Sequence, residues 1–531
     1  MSHQAPQTQF NTMTEPSLVQ LLTDLDTGAL ISSEERGGSV SLDWLTTATR
    51  DEVASLLAEL ALRDFVSEDK RRDAGLTSIC HQLALRVRHQ SSPGDQDRIP
   101  ATELAAMKAV YDRLPPDFQS RAYLLQILAT ARDPNSLEAL AEWFVLAPLA
   151  GSEDTAIALS PLMQFKDYDP APLFPRLLDA IEQPATAATV MDLSNFVTRQ
   201  QLVDTHPAAE RATMLIGLLG QLAEQLGVIE ELRDQPADSS EMLAQRVEDG
   251  VAMAVALCDA LAQIGDKEAV GKLYQALGLS HRRLRTEAAA ALAKLGEEAG
   301  EQALLELVTE PVTRLRVLAY AEELNLLDKI EPDQRNAAAR AESELALWLA
   351  QPAQLGIPPT KLEMIDERNQ YWPGYDELVD CFLFRFHYQF GDAEYANIAI
   401  VGPVTHAFSA NLGDIPHSDI YAAFAGWQAQ HDDIFEVDLA DWDEGLVYEA
   451  ERLERLLRDA GYDAIQMIRL GLFLGEKALI ARATKSGQSC IAVADVHDVF
   501  SYRTDAGPRA IGANEAYAVY KGRKLLRTFN P

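Results

Sequence analysis

The sequence contains few cysteines. Its 531 residues include four, and Cys80, Cys258, Cys381 and Cys490 lie far apart without any C-x-x-C pair. That spacing argues against a disulfide framework and against a cysteine-based zinc or redox site. We therefore expect buried thiols in a reducing compartment.

Basic residues are far outnumbered by acidic ones. Lys and Arg total 46 and Asp and Glu total 81, which gives a formal net charge of −35. Such a charge opposes direct contact with nucleic acid or with anionic lipid, because both are polyanions. We expect no nucleic-acid partner and no membrane partner. A basic protein partner is compatible with this charge, which also keeps a large surface soluble.

Targeting signals and long apolar runs are missing as well. Residues 1–15 are polar and show no basic region followed by an apolar core, as a secretory signal would. No stretch reaches the roughly 18 uninterrupted apolar residues typical of a membrane span. The sequence predicts a cytoplasmic protein with a disordered tail at residues 1–15.

The common catalytic motifs are also absent. The sequence has no H-E-x-x-H, no G-x-S-x-G and no G-x-G-x-x-G after a strand. The segment from Gly265 to Lys272 has the wrong spacing for a phosphate loop, and Leu273 stands where Ser or Thr would bind the metal. We predict no cofactor, no metal site and a non-catalytic protein in preference to an enzyme.

Helical periodicity dominates the first two thirds of the chain. From about residue 40 to 345, apolar residues recur at spacings of three and four, broken by short polar segments. The clearest predicted helices are Asp51–Leu62, Thr102–Leu114, Leu137–Leu146, Ala208–Leu226 and Met242–Ile264. The pattern predicts a helical domain over residues 16–350.

An internal repeat lies between residues 250 and 330. Segments beginning at Asp259, Ala290 and Ala321 superimpose at an offset of 31 residues, which brings Gly265 onto Gly296. The repeated glycine follows a predicted helix end, where a left-handed cap costs little. The repeat indicates helix pairs stacked in register.

The segment HRRLRTEAAAALAKLGEEAGEQALLEL, from His281, resembles the HEAT-like repeat family in the short form known from phycobilin lyases. The resemblance implies an α-solenoid of stacked helix pairs, whose surface binds very different partners in different members of the family. It implies no lyase activity, since none of the matched residues is catalytic in the family's general pattern. A single helical bundle is the competing interpretation, and the repeat register favours the stack.

A change of composition marks the end of the helical domain. Residues 351–375 are rich in Pro and Gly and are predicted to form a linker, followed by an α+β domain over 376–531. Asp380–Phe390 alternates aromatic and polar residues as a strand does, and the apolar segment after it completes a hairpin. Two helices are predicted, at His417–His431 and at about Glu444–Ala460, with Asp441 as the cap of the second. Two or three more strands complete an antiparallel sheet.

The fold class predicted from these patterns is mainly α. It consists of an α-solenoid of HEAT-like helix pairs followed by a smaller α+β domain with an antiparallel sheet.

Polar residues on the first predicted strand form the candidate ligand site. Arg385 and His387 share its polar face, and Asn397 and His406 follow in the next segment. Pockets gather a few convergent polar groups of this kind. The wet face of an ordinary antiparallel sheet has the same composition, so both interpretations stay open.

A run of carboxylates forms a second candidate surface. The predicted acidic patch consists of Asp432, Asp433, Glu436, Asp438, Asp441, Asp443 and Glu444. It is suited to a basic partner or to a divalent cation, although it lacks the spacing of an EF-hand calcium loop. The basic end of the chain, with Arg523 and Lys524, is interpreted as an intramolecular tie.

We predict a non-catalytic protein–protein interaction scaffold built on HEAT-like repeats, with a protein partner of basic character. The alternative is that the C-terminal domain is a small-ligand or metal-binding sensor, or a hydrolytic enzyme, that uses the Arg385/His387 strand face.

Overall fold

The computed structural model describes residues 15–30, 42–90, 99–232, 241–505 and 509–530. The tail predicted to be disordered lies outside this part of the chain except for Glu15. Contacts divide the chain into two compact units, Met1–Leu304 and Leu305–Pro531. The division falls before the domain boundary predicted near residue 350.

The N-terminal unit is built from helices joined by short turns, as the apolar spacing predicts. Its helices are α1 (Glu15–Asp26), α2 (Arg50–Leu60), α3 (Lys70–Gln90), α4 (Ala101–Tyr111), α5 (Ser120–Ala131), α6 (Pro134–Leu146), α7 (Ser152–Gln164), α8 (Pro184–Arg199), α9 (Ala212–Leu232), α10 (Glu241–Ile264), α11 (Val270–Leu277) and α12 (Arg282–Lys294), and α13 (Glu298–Leu307) crosses its end.

These helices stack in two layers. In the first layer α3, α5, α7, α8, α10 and α12 pack side by side in that order. The second layer contains α2, α4 and α6, and further along the chain α9 and α11. Because consecutive helices largely alternate between the layers, each pair buries its apolar faces against the next pair. The arrangement is the solenoid-like layout that the repeat predicts.

The repeat register holds at the first two helix ends and shifts at the third. Gly265 and Gly296 both adopt left-handed φ angles, +78° and +88°, just after α10 and α12. After the third helix, α14 (Pro311–Glu323), the left-handed residue is Asn325, with φ 57°. Asparagine tolerates this conformation better than other non-glycine residues. The constant offset of 31 residues therefore predicts the end of the third helix two residues after the observed Asn325.

One helix among the described residues, Ala209–Glu230, is long and apolar enough to cross a membrane by length and composition alone. Core helices of globular proteins pass the same test. Here Leu215, Leu219 and Leu226 are buried in the core of the N-terminal unit.

The C-terminal unit contains two antiparallel sheets and several helices. Besides α14 they are α15 (Ala337–Leu349), β1 (Lys361–Tyr371), β2 (Leu378–Phe390), β3 (Ala393–Val401), β4 (His406–Ala407), α16 (His417–Gln428), β5 (Ile434–Asp438), α17 (Glu444–Asp459), β6 (Tyr462–Phe473), β7 (Glu476–Lys485), β8 (Gln488–Ala494), β9 (Val499–Arg503) and α18 (Ala513–Phe529).

The sheets and helices of this unit form alternating layers. The first sheet has the order β1-β2-β3-β4 and the second the order β5-β6-β7-β8-β9. Residues of α16 and α18 share one buried core with one face of each sheet. Helix α15 covers the other face of the first sheet, and α17 covers the other face of the second. The predicted fold class, helical repeats followed by an α+β unit with antiparallel sheets, is confirmed.

Three local predictions in this unit are wrong. The predicted linker 351–375 contains strand β1, whose polar sequence forms an edge of the first sheet. The cap of α17 is Asp443, which accepts from the Leu446 amide at 2.8 Å, and not Asp441. A further helix, α18, follows the two predicted ones. Its Tyr517 and Val519 are buried in the shared core. The end of the chain is therefore part of the fold and not only a basic tail.

The basic residues of α18 nevertheless form the predicted intramolecular ties. Arg523 donates to both carboxylate oxygens of the buried Asp419, each at 2.9 Å. Lys524 lies 2.6 Å from Asp495 and 2.7 Å from Glu476. All four cysteines are buried and free, as predicted.

Candidate functional site

Strand β2 presents two chemically different faces to the rest of the C-terminal unit. Phe382, Phe384 and Phe386 alternate toward the core under α15. Cys381 and Leu383 point the opposite way, into the core shared with α16 and α18. Because side chains alternate along a strand, the next residues on the Leu383 face are Arg385 and His387.

Arg385 and His387 line a cleft of about 420 Å³ at the edge of this core. Asn397, Asn411, Asp414 and Arg509 also line it. The segment containing Asn411 and Asp414 leads into α16, and Arg509 leads into α18. The cleft therefore collects polar groups from two neighbouring strands, β2 and β3, and from two connecting segments of the same unit.

Two arginines bring positive charge into the cleft. Within the described ranges, no hydrogen bond or ion pair involves the half-buried Arg385. The Arg509 guanidinium lies 4.2 Å from the centre of the Tyr395 ring. Its Nη1 atom is buried and has no hydrogen-bond acceptor among the described residues. A buried donor without an acceptor costs free energy, which an anionic ligand would recover.

His387 adds an oriented imidazole. Its Nδ1 atom is 2.7 Å from Glu394 Oε1, so Nδ1–H donates a hydrogen bond to the carboxylate. Nε2 is buried without a hydrogen-bond partner among the described residues, and Glu363 Oε2 lies 4.0 Å from it. Nε2 is left as an acceptor when the ring is neutral and as a donor when it is charged.

Asn397 is buried in the cleft wall, and its amide is fully occupied. Its Nδ2 donates to the carbonyls of Phe408 and Ala410 at 2.8 and 3.0 Å. Its Oδ1 accepts from the amides of Ile398 and Leu412 at 2.8 and 3.3 Å. Asn397 therefore positions the loop that forms the cleft and offers no free group of its own.

His406 lies outside the cleft. Its ring stacks on Trp427, with centroids 3.8 Å apart and planes 8° apart, and meets Phe408 edge to face. Burial lowers its pKa, so the neutral ring is favoured. In the sequence His406 lies close to Asn397, another of the predicted site residues. In the structure it pairs with Ile400 through β4, and its ring packs in this aromatic cluster.

The predicted acidic patch is partly neutralised. Arg469 Nη1 lies 2.6 Å from Glu436, and its Nε lies 3.7 Å from Asp438. Asp443 is committed to the α17 cap, as described above. Among the described residues, no group of three or more His, Cys, Asp or Glu side chains is arranged to hold a metal ion.

Arg509 is the cleft residue that sequence reasoning missed. It is more than 120 positions from Arg385, between a short strand and the final helix. Its carbonyl accepts from the Asn411 amide at 2.8 Å, which ties the two connecting segments together. No local pattern signals such a contact, because it depends on α16 and α18 lying side by side.

A second surface lies on the N-terminal unit. Met214 and Val228 on α9 and Tyr274 on the neighbouring α11 are 41%, 51% and 40% exposed. Met214 and Val228 are about four helical turns apart and therefore share one side of α9. We call these three residues the α9–α11 face. Exposed apolar side chains on adjacent helices are candidates for a protein contact.

The fold and these surfaces define a helical-repeat protein with a C-terminal α+β unit. Residues 240–325 match the family model of HEAT repeats. The search of curated proteins finds no match. A solved structure titled "Lipid-protein interactions in lipovitellin" aligns at 11% identity over 92% of this chain, with a TM-score of 0.23. The chain covers 53% of that structure's length. A similarity at this score carries no structural or functional conclusion.

Proposed function

We propose that the chain is a non-catalytic interaction scaffold whose helical repeats bind a protein partner. The observation that carries the proposal is the stack of HEAT-like helix pairs, matched to that family over residues 240–325. Such stacks offer an extended surface and commonly bind other proteins. The proposal places the contact on the α9–α11 face, where apolar side chains remain exposed.

The charge of the chain supports a basic partner. With a net charge of −35, the protein attracts basic surfaces and repels acidic ones. Binding to a basic partner should weaken as salt is raised, since salt screens charges beyond about 8 Å at physiological ionic strength. The apolar contact on the α9–α11 face should depend less on salt.

Charge substitutions on the α9–α11 face test this proposal. Met214→Asp combined with Tyr274→Asp is expected to weaken partner binding at least tenfold, because an exposed aromatic anchor would be lost and two charges buried. The measurement is capture of stoichiometric partner from native lysate, followed by titration with the purified partner.

Leu62→Asp is the matched control. Leu62 is 73% exposed and lies beyond α2, away from the α9–α11 face in the chain. Its substitution should leave binding unchanged. Recovery of no stoichiometric partner would contradict the proposal. Equal partner binding by the parent protein, the double variant and Leu62→Asp would also contradict it.

A second function is favoured by the cleft of the C-terminal unit. We propose that it binds a small polar anion, such as a phosphate or a carboxylate. Arg385 and Arg509 bring donor groups to the cleft that have no acceptor among the described residues, and His387 lines the same cleft with an unpartnered Nε2. The lining residues include no Ser, Thr or Cys, so the cleft lining offers no hydroxyl or thiol side chain as a nucleophile.

Inorganic phosphate is the first probe of this cleft. Phosphate at 100 times its dissociation constant should stabilise the unit by about 2.7 kcal/mol. Arg385→Gln should remove most of that stabilisation, because it removes the charge that faces the ligand. Thermal unfolding of the full chain with and without phosphate measures the effect.

Gln389→Ala is the control for the phosphate test. Gln389 lies further along the same face of β2, is exposed and does not line the cleft. It should keep the full stabilisation. An unchanged phosphate effect in Arg385→Gln would show that the cleft is not the site.

A further inference from the structure

The C-terminal unit contains the same structural element twice. Strands β1 to β4 followed by α16 have the same order and antiparallel pairing as β6 to β9 followed by α18. The sequences agree at corresponding places. Ile398-Ala399-Ile400 on β3 corresponds to Ile491-Ala492-Val493 on β8, and YAAFAG at Tyr421 corresponds to YAVYKG at Tyr517.

The contact between the two helices is reciprocal, as expected for two copies of one element. A Cβ added at Gly426 would overlap the carbonyl of Ala518, and one added at Gly522 would overlap the carbonyl of Ala422. Gly426 and Gly522 occupy the same place in the two helix sequences, as do Ala422 and Ala518. Each helix thus presents the same Ala-x-x-x-Gly edge to the other, which is the pattern of a two-fold related interface.

Strand register then identifies the counterpart of Arg385. In the first copy, Leu383 pairs with Ile400 and Arg385 with Ile398. In the second copy, Ile480 pairs with Val493 and Arg482 with Ile491. Arg482 therefore occupies in the second copy the position that Arg385 occupies in the first.

A second cleft, of about 690 Å³, lies beside Arg482. Like the first, it lies where the chain enters its helix, here at Gly512 and Ala513. Arg482 is exposed and has no hydrogen bond or ion pair among the described residues. Arg469 also lines the cleft, but its Nη1 donates to Glu436 at 2.6 Å and to Asn514 at 2.9 Å. Its Nε makes no hydrogen bond among the described residues, and Asp438 lies 3.7 Å away.

The second cleft differs from the first in its floor. Ile491 and Ile511 are each 3% exposed and line it, together with Ile468. The position of Asn397 in the first copy is taken by Cys490, which is also buried. The second cleft thus combines the charge of Arg482 and small polar side chains with three isoleucines, whereas the first is lined mainly by polar groups and has one isoleucine, Ile398.

We propose that this second cleft binds an amphiphilic anion, in which a carboxylate or phosphate group carries an apolar body. The anionic group would pair with Arg482 at the rim, and the apolar body would cover Ile491 and Ile511. The inference rests on the anion-binding function proposed for the first cleft, and it assigns a different ligand class to the second copy.

Octanoate is the probe, measured by calorimetry on the full chain. We expect saturable binding at one site, and at least tenfold weaker binding of octanol, which has the apolar body but no charge. Arg482→Gln should weaken octanoate binding at least tenfold. Because Arg482 is exposed, the variant should retain the melting temperature of the parent protein.

Arg385→Gln separates this inference from the function proposed for the first cleft. It should lose phosphate binding and keep octanoate binding. Phosphate binding without octanoate binding would overturn the second site and leave the first intact. Equal octanoate affinity in Arg482→Gln, or equal affinity for octanol, would also overturn it.

Discussion

Substitution of Gly522 by Ala is expected to destabilise the C-terminal unit by about 3 kcal/mol. Helices α16 and α18 approach so closely at Gly522 that an added methyl group would overlap the main-chain carbonyl of Ala422. A main-chain atom inside a helix cannot move aside as a flexible side chain can, so the helices must separate. Their separation would loosen the core that both sheets share. Thermal and denaturant unfolding of the full chain measures the loss.

Gly271→Ala is the control for this substitution. Gly271 lies in α11, and a Cβ added there meets nothing within 4 Å. Replacing an unconstrained helical glycine with alanine should stabilise the protein by about 0.4–1 kcal/mol. If Gly522→Ala unfolded like the parent protein, the close packing of α16 and α18 would be wrong, and the two-fold relation between the copies would lose its main support.

A buried histidine in the N-terminal unit should make the stability of the protein depend on pH. His206 is 4% exposed, and burial lowers its pKa to about 4. Its Nδ1 accepts from the Ala208 amide at 3.1 Å, so in the neutral ring the proton is on Nε2, which lies 3.0 Å from Asn195 Oδ1. A second proton, on Nδ1, would break the bond to Ala208.

The direction of the effect follows from the lowered pKa. Well above pH 6.5 the ring is neutral in both the folded and the unfolded chain, so folding does not change the protonation of His206. As the pH falls from 6.5 toward 4, the unfolded chain takes up a proton that the folded protein does not. The free energy of unfolding should therefore decrease by about 3 kcal/mol over this range. Urea unfolding at pH 7, 5.5 and 4.5 follows the decrease.

His206→Gln separates this effect from the titration of carboxylates. The variant should be less stable than the parent at pH 7, because the bonds to Asn195 and Ala208 are disturbed. Its stability should fall less steeply with acid. His89→Gln, at an exposed position on α3, should keep the slope of the parent protein. Parallel slopes for the parent and His206→Gln would contradict the assignment.

Part of the candidate site could be predicted from the sequence. Alternation along Asp380–Phe390 placed Arg385 and His387 on the face opposite the aromatic residues, and β2 has this arrangement. Asn397 also lies at the cleft, but it acts by holding a loop. His406 could not be assigned correctly, because a two-residue strand carries no readable pattern, and its pairing with Ile400 decided the direction of the ring.

The duplication within the C-terminal unit was present in the sequence but weak. The matching segments are short, and three additional residues in the second copy separate the strand match from the helix match. Arg482 follows the apolar segment Ala478–Ala481, and no motif in that segment marks it as a ligand-binding position. Only strand pairing shows that Arg482 and Arg385 occupy equivalent positions.

The sequence by itself determined the helical repeats, the two-faced strand β2 and the acidic character of the protein, because periodicity and charge are properties of neighbouring residues. The tertiary structure alone decided that Arg509 reaches the Arg385 cleft, that β1 replaces a linker and that α18 packs against α16. These features depend on contacts between distant segments, and their energies come from shared burial and close main-chain packing, which no local pattern records.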